Sequence, residues 1–128
     1  MTSVEVPYSI ACALPSLTVL DITNDVAREV SRSPVTRGIA YVSAVEPASL
    51  VRVNERESGF FADVEELLAR IVPMNAGARE RMLLMLLGPR TEQIPVDDGR
   101  LCLGRYQRVL LFGFDGVTSA HFSLTLVG

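Results

Sequence analysis

Apolar residues along this chain recur with two periods. In "DITNDVAREVSRS" (21–33) the spacing is four: Ile22, Val26 and Val30 share one face of a predicted helix. Thr23 is its candidate N-cap, Asp25 and Glu29 lie toward its positive end, and Pro34 discourages continuation. A longer helix is predicted over "GFFADVEELLARIV", capped by Ser58. Phe60, Val64, Leu67, Leu68 and Ile71 form its apolar stripe. Asp63, Glu65 and Glu66 occupy its first half and Arg70 its last turn, as the helix dipole favours.

The other segments read as strands. Residues 4–12, "VEVPYSIAC", form one strand with Pro7 near its start, as on a sheet edge, and Leu17–Leu20 continues or pairs with it. Gly38–Ala44 is a buried strand, Pro47 sets a turn, and Ser49–Val53 returns. A polar connection from Pro73 to Arg81 leads to short strands at Leu83–Leu87, Gln93–Val96, Leu101–Leu103, Val109–Phe114 and His121–Val127. Asp98-Gly99 and Asp115-Gly116 are hairpin signals. Helices mixed with mostly hairpin-joined strands give an α+β class, with a mostly antiparallel or mixed sheet and two main helices.

Composition changes this picture further. The chain has 128 residues, the size of one domain spanning 1–128, yet 48% are hydrophobic. Its mean hydropathy of +0.30 implies a sheet buried on both faces, or apolar surface covered by a partner subunit. Net charge is −3, and the arginines are scattered rather than clustered, which argues against a nucleic-acid phosphate footprint. All twelve basic residues are Arg, so a Walker-type phosphate loop and a Schiff-base lysine are excluded. Cys12 and Cys102 are far apart, and no export signal precedes them, so reduced thiols and a cytoplasmic location are expected. The longest apolar run, Met82–Leu87, is too short to cross a bilayer.

Candidate chemistry is sparse. Zinc takes three or four Cys and His ligands, and only His121, Cys12 and Cys102 are present, without ligand spacing. Glu46, Glu55, Glu57 and Asp63 offer carboxylates for a harder cation, and equally ordinary roles in a cap and a solvated loop. His121 reads either as an edge-strand residue or as a proton-transfer or phosphate-contacting group at a subunit boundary. Asp97 and Asp98 belong to a turn, and no cofactor motif accompanies any of these residues.

The segment "IPVDDGRLCLGRYQRVLLFGFDG" (94–116) resembles the signature of the YjbQ family. So do "DIT" at 21–23, "ASLVRVNE" at 48–55 followed by Asp63, and "NAGARERMLLMLLG" at 75–88. The resemblance covers roughly residues 15–128, with the motifs in the family's order. It implies an α+β subunit assembled as a homotrimer, thiamin-phosphate synthase-like activity, and histidines forming a metal or anion site between subunits.

The chain departs from that pattern at the histidines. Where the family reads His-Thr-Thr-Ala, Val45-Glu46-Pro47-Ala48 stands. The family's Ala-His falls on Glu80-Arg81 counted back from Gly88, or on Ala78-Arg79 counted forward from Asn75. The family's closing "DGPR" becomes "DGVT", so Pro and Arg are absent at Val117 and Thr118. Asn54, Glu55, Asp63, Gln107 and the two Asp-Gly turns survive.

This pattern implies a homotrimer without the metal site, acting as a small-anion-binding or interaction module. Arg81 and His121 are then the anion contacts, and Arg81 replaces the metal's charge by pairing with Glu46 or Glu55. The alternative is an enzyme with a rebuilt site, using Glu46, Glu55 and Asp63 as acids or bases and Gln107 as orienter. A third reading makes the chain a partner of an intact paralogue. Neither nucleic acid nor membrane is expected as a partner.

Overall fold

The three-dimensional structure, a computed structural model, describes residues 2–5, 10–114 and 120–128. In chain order its elements are β1 (Thr2–Glu5), β2 (Ile10–Leu14), β3 (Leu17–Asp21), α1 (Thr23–Arg32), β4 (Arg37–Ala44), β5 (Ser49–Glu55) and α2 (Ser58–Ile71). There follow α3 (Arg79–Leu87), β6 (Thr91–Asp97), β7 (Arg100–Leu101), β8 (Gln107–Phe114) and β9 (His121–Val127). The described strands pair antiparallel throughout. They form two sheets, β1-β9-β4-β6-β7 and β2-β3-β8-β5. The α+β class follows directly, with a third helix beside the two expected ones.

Alternation along the strands builds three layers. Ala40, Val42, Ile94, Val96, Phe122 and Leu124 of the first sheet face Leu20, Val51, Val109 and Leu111 of the second, and Val26 and Val30 of α1 join this core. The second sheet's other face carries Leu17, Val19, Leu50, Leu110, Phe112 and Phe114 against Phe61 and Leu68 of α2 and Leu83 of α3. The second sheet is therefore the middle layer, buried on both sides. Its β8 is accordingly buried without a break from Val109 to Phe114. This accounts for much of the high hydrophobic content.

Several local expectations shift. The run expected as one strand over 4–12 is two strands in different sheets, since β1 pairs with β9 and β2 with β3. Pro7 and Asp115-Gly116 lie outside the described residues. Thr23 begins α1, but the capping oxygen is that of Asp21, which accepts the Thr23 N–H at 3.1 Å. In α2 the N-cap is Glu57 rather than Ser58: its carboxylate accepts the N–H groups of Gly59 (2.9 Å) and Phe60 (2.6 Å). That register buries Phe61 fully and leaves Phe60, Leu67 and Ile71 exposed. Phe61 meets Phe112 edge-on at 5.8 Å between ring centroids.

The strand expected at Leu83–Leu87 is the helix α3. Its Arg, Glu, Leu and Met residues are strong helix formers without a β-branched member. Only Arg79 and Leu83, four residues apart, are buried in it. The strand expected over Leu101–Leu103 shortens to Arg100–Leu101. The Asp98-Gly99 hairpin forms as expected, with φ of 52° and 70°, the left-handed pair that a tight antiparallel turn requires.

β5 is an outer strand of the middle sheet. Three of its outward N–H groups are nevertheless occupied. Val51 donates to the Arg90 carbonyl (3.2 Å), Val53 to a Glu92 carboxylate oxygen (3.1 Å) and Glu55 to the Asn54 side chain (2.8 Å).

Candidate functional site

The turn between β4 and β5 carries Glu46, and Arg90 at the head of β6 holds it in shape. The Arg90 guanidinium donates to the carbonyls of Ser49 (3.1 Å), Ala44 (2.8 Å) and Glu46 (2.5 Å). The Ser49 hydroxyl adds a bond to the Glu46 carbonyl at 2.6 Å. The backbone that presents the Glu46 carboxylate is therefore fixed by donors from two elements.

The first residue of β9 docks onto this turn. The His121 N–H donates to Glu46 Oε2 at 2.9 Å, and the Val45 N–H donates to the His121 carbonyl at 3.1 Å. His121 Nδ1 is in a short contact with Glu46 Oε1. With Glu46 ionised, this contact places a proton on Nδ1. Burial pushes the Glu46 carboxyl up, but the hydrogen bonds from the His121 ring and main chain outweigh it. The net result lies below the ordinary carboxylate value. The His121 side chain keeps 33% of its surface exposed and Glu46 17%. A carboxylate orienting an imidazole at a partly open surface can move a proton or place a positive charge.

The other candidates do not converge on this pair. Gln107 closes its own turn, its side-chain oxygen accepting the Gly104 N–H at 2.7 Å. Glu55 is exposed at the end of β5, Asp63 is exposed on α2, and Glu57 is engaged as the cap. Arg81 is exposed on α3, and within the single chain Glu46 pairs with His121 rather than with Arg81. Cys12 and Cys102 are free thiols. Among the described residues, no three of His, Cys, Asp and Glu gather closely enough to hold a metal ion.

A second polar constellation escaped the sequence reading. Asp21, at the end of β3, is 6% exposed. Its Oδ1 accepts from the Thr23 hydroxyl at 2.6 Å, and its Oδ2 meets Arg108 Nε at 2.9 Å and Arg56 Nη1 at 3.3 Å. Thr23 Oγ1 in turn accepts the Val109 N–H at 2.8 Å. Burial raises the Asp21 carboxyl, and the bonds from Arg108 and Thr23 outweigh it and bring it below its usual value. The signal for this network was the Asp-x-Thr spacing in "DIT", an acceptor two residues before a helix's first N–H. Asp21 ties β3, α1 and β8 together.

The comparisons with known proteins agree with this architecture. A family model described as "UPF0047 protein YjbQ-like" matches residues 13–128. A UPF0047 protein of Archaeoglobus fulgidus is 31% identical over 107 residues, covering 77% of this chain and 82% of that protein. One of Methanothermobacter thermautotrophicus is 27% identical over 119 residues, covering 86% and 82%. The crystal structure of an uncharacterized conserved YjbQ/UPF0047-family protein from Clostridium acetobutylicum superposes with a TM-score of 0.79 at 22% identity, covering 98% of each chain. A hypothetical protein from Aeropyrum pernix gives 0.78 at 25% identity, covering 99% of this chain and 96% of that one. Two-layered strands, their covering helices and a match over nearly the whole length lead to one conclusion: this chain belongs to the YjbQ/UPF0047 family.

Proposed function

We propose that this chain is a YjbQ-family homotrimer of the cytoplasm that works without the family's histidine metal site, as a non-catalytic module binding a small anion or a partner. The observation that carries this reading is the engagement of Glu46 by His121. A carboxylate and the chain's single imidazole are spent on each other, and beside them Val45 offers no ligand where the resemblance has histidine. The donor set of the described residues does not fit a metal. His121, held by a carboxylate, and Arg81 supply positive groups for an anion.

Elemental analysis of the protein, purified without a metal-binding tag, tests the reading. Less than about a tenth of an equivalent per chain is expected; near one equivalent overturns it. Sedimentation velocity at micromolar concentration is expected to give a trimer, and a monomer counts against it.

The Glu46–His121 contact also favours a second reading, a thiamin-phosphate synthase-like enzyme with a rebuilt acidic site at the subunit boundary. Here His121 exchanges the proton and Glu46 orients it. Rescue of a thiamin-requiring strain, lost in Glu46→Gln, supports this enzyme; absence of rescue by the unaltered chain counts against it. Co-purification with a histidine-bearing paralogue would instead identify the chain as a mixed-assembly subunit.

A further inference from the structure

A cleft of about 170 Å³ opens between the middle sheet and α2, apart from the Glu46–His121 pair. β5 presents Leu50, Arg52 and Asn54 to it from alternate positions, and β8 adds Phe112 and Phe114. α2 supplies Phe60, Val64 and Leu68, four residues apart along one face, and Leu87 of α3 closes one end. The volume matches the roughly 150 Å³ that admits a benzene-sized molecule to an apolar cavity.

The polar groups of the cleft are few and of one kind, all donors. Arg52 donates to the carbonyls of Val51 (2.7 Å), Pro89 (2.8 Å) and Leu87, and among the described residues no carboxylate pairs with it. Carbonyls at the end of α3 meet only part of a full positive charge. The Asn54 side-chain oxygen is taken by the Glu55 N–H, so its amide nitrogen is the end left to donate. An apolar wall beside a guanidinium without a counter-ion selects a ligand that is apolar at one end and anionic at the other.

We propose that this cleft is a binding site for a small aromatic or branched-chain carboxylate, its ring against Phe112 and Val64 and its carboxylate toward Arg52 and Asn54. Benzoate, benzyl alcohol and benzylamine, titrated into methyl-labelled protein and followed by NMR, test it. Benzoate is expected to give saturable shifts centred on Leu50, Val64, Leu68 and Leu87, with benzyl alcohol about tenfold weaker and benzylamine weaker still. Val64→Trp, which fills the cleft, is expected to abolish those shifts while leaving the melting temperature within a few degrees. Arg52→Met is expected to remove the preference for benzoate over benzyl alcohol. No saturable shift at these methyls, equal binding of benzylamine, or unchanged benzoate affinity in a folded Val64→Trp variant overturns the proposal.

Discussion

Asp21 shows how one side chain organises three elements. Replacing it by Ala removes the bond to the first N–H of α1 and two charge-assisted bonds. Its arginine partners still reach solvent, with side chains 48% and 36% exposed, so they rehydrate. We expect Asp21→Ala to lower stability by about 2 kcal/mol, measured by urea denaturation. The pH dependence follows from the direction of the shift. Because the folded-state pKa lies below the unfolded one, Asp21 stabilises fully above the ordinary carboxylate range. That contribution disappears as pH falls through the depressed value. Wild-type protein is therefore expected to lose more stability than Asp21→Ala between pH 6 and about pH 3. At this scale the sequence was only partly legible. Glu46 stood out as a charge where the resembled family has a neutral residue, and His121 as the single imidazole. Their meeting did not, since it depends on how β9 lands on the β4–β5 turn, 75 residues away. Arg81, read as the end of a polar connection, lies instead in the first turn of α3, exposed.

Among the elements, α2 gives the sharpest test. A helix with Phe at two successive positions has two possible phases, and the choice decides which ring enters the core. The i, i+4 pattern from Phe60 favoured one phase; Glu57 as the capping residue and the pocket beside Phe112 select the other. Phe61→Ala is expected to cost about 3–5 kcal/mol in thermal or chemical unfolding, and Phe60→Ala much less. Glu57→Ala is expected to cost about 1 kcal/mol, with Ser58→Ala close to neutral. The opposite ranking in either pair would restore the phase that the periodicity suggested. α3 was missed for a related reason. A short apolar run has no period of its own, and residue propensity, which favours helix here, carries the information instead.

For the molecule as a whole, the α+β class and the family could be read from turn signals and spaced motifs, whereas the layering could not. Nothing local tells a strand which of two sheets it joins; β1 and β2 separate because their partners lie at opposite ends of the chain. The layered core absorbs much of the apolar composition, but Leu67, Ile71, Met74, Met82, Met85 and Leu86 remain exposed on and around α2 and α3. A trimer would have this surface available to cover, and changes there are expected to move the sedimentation coefficient before they move the melting temperature. Met85→Glu, at a residue 81% exposed, is the cleanest such change.

The occupied margin of β5 has a consequence for how copies of this chain meet. A bare strand edge is a template on which another chain can add its own strand, and repeated addition leads to fibrils. Here Arg90 and Glu92 of the same chain already sit where the incoming strand's carbonyls would bind. Growth of the sheet at that margin is blocked from within. Association that uses this side of the molecule must then proceed through side chains rather than by strand addition.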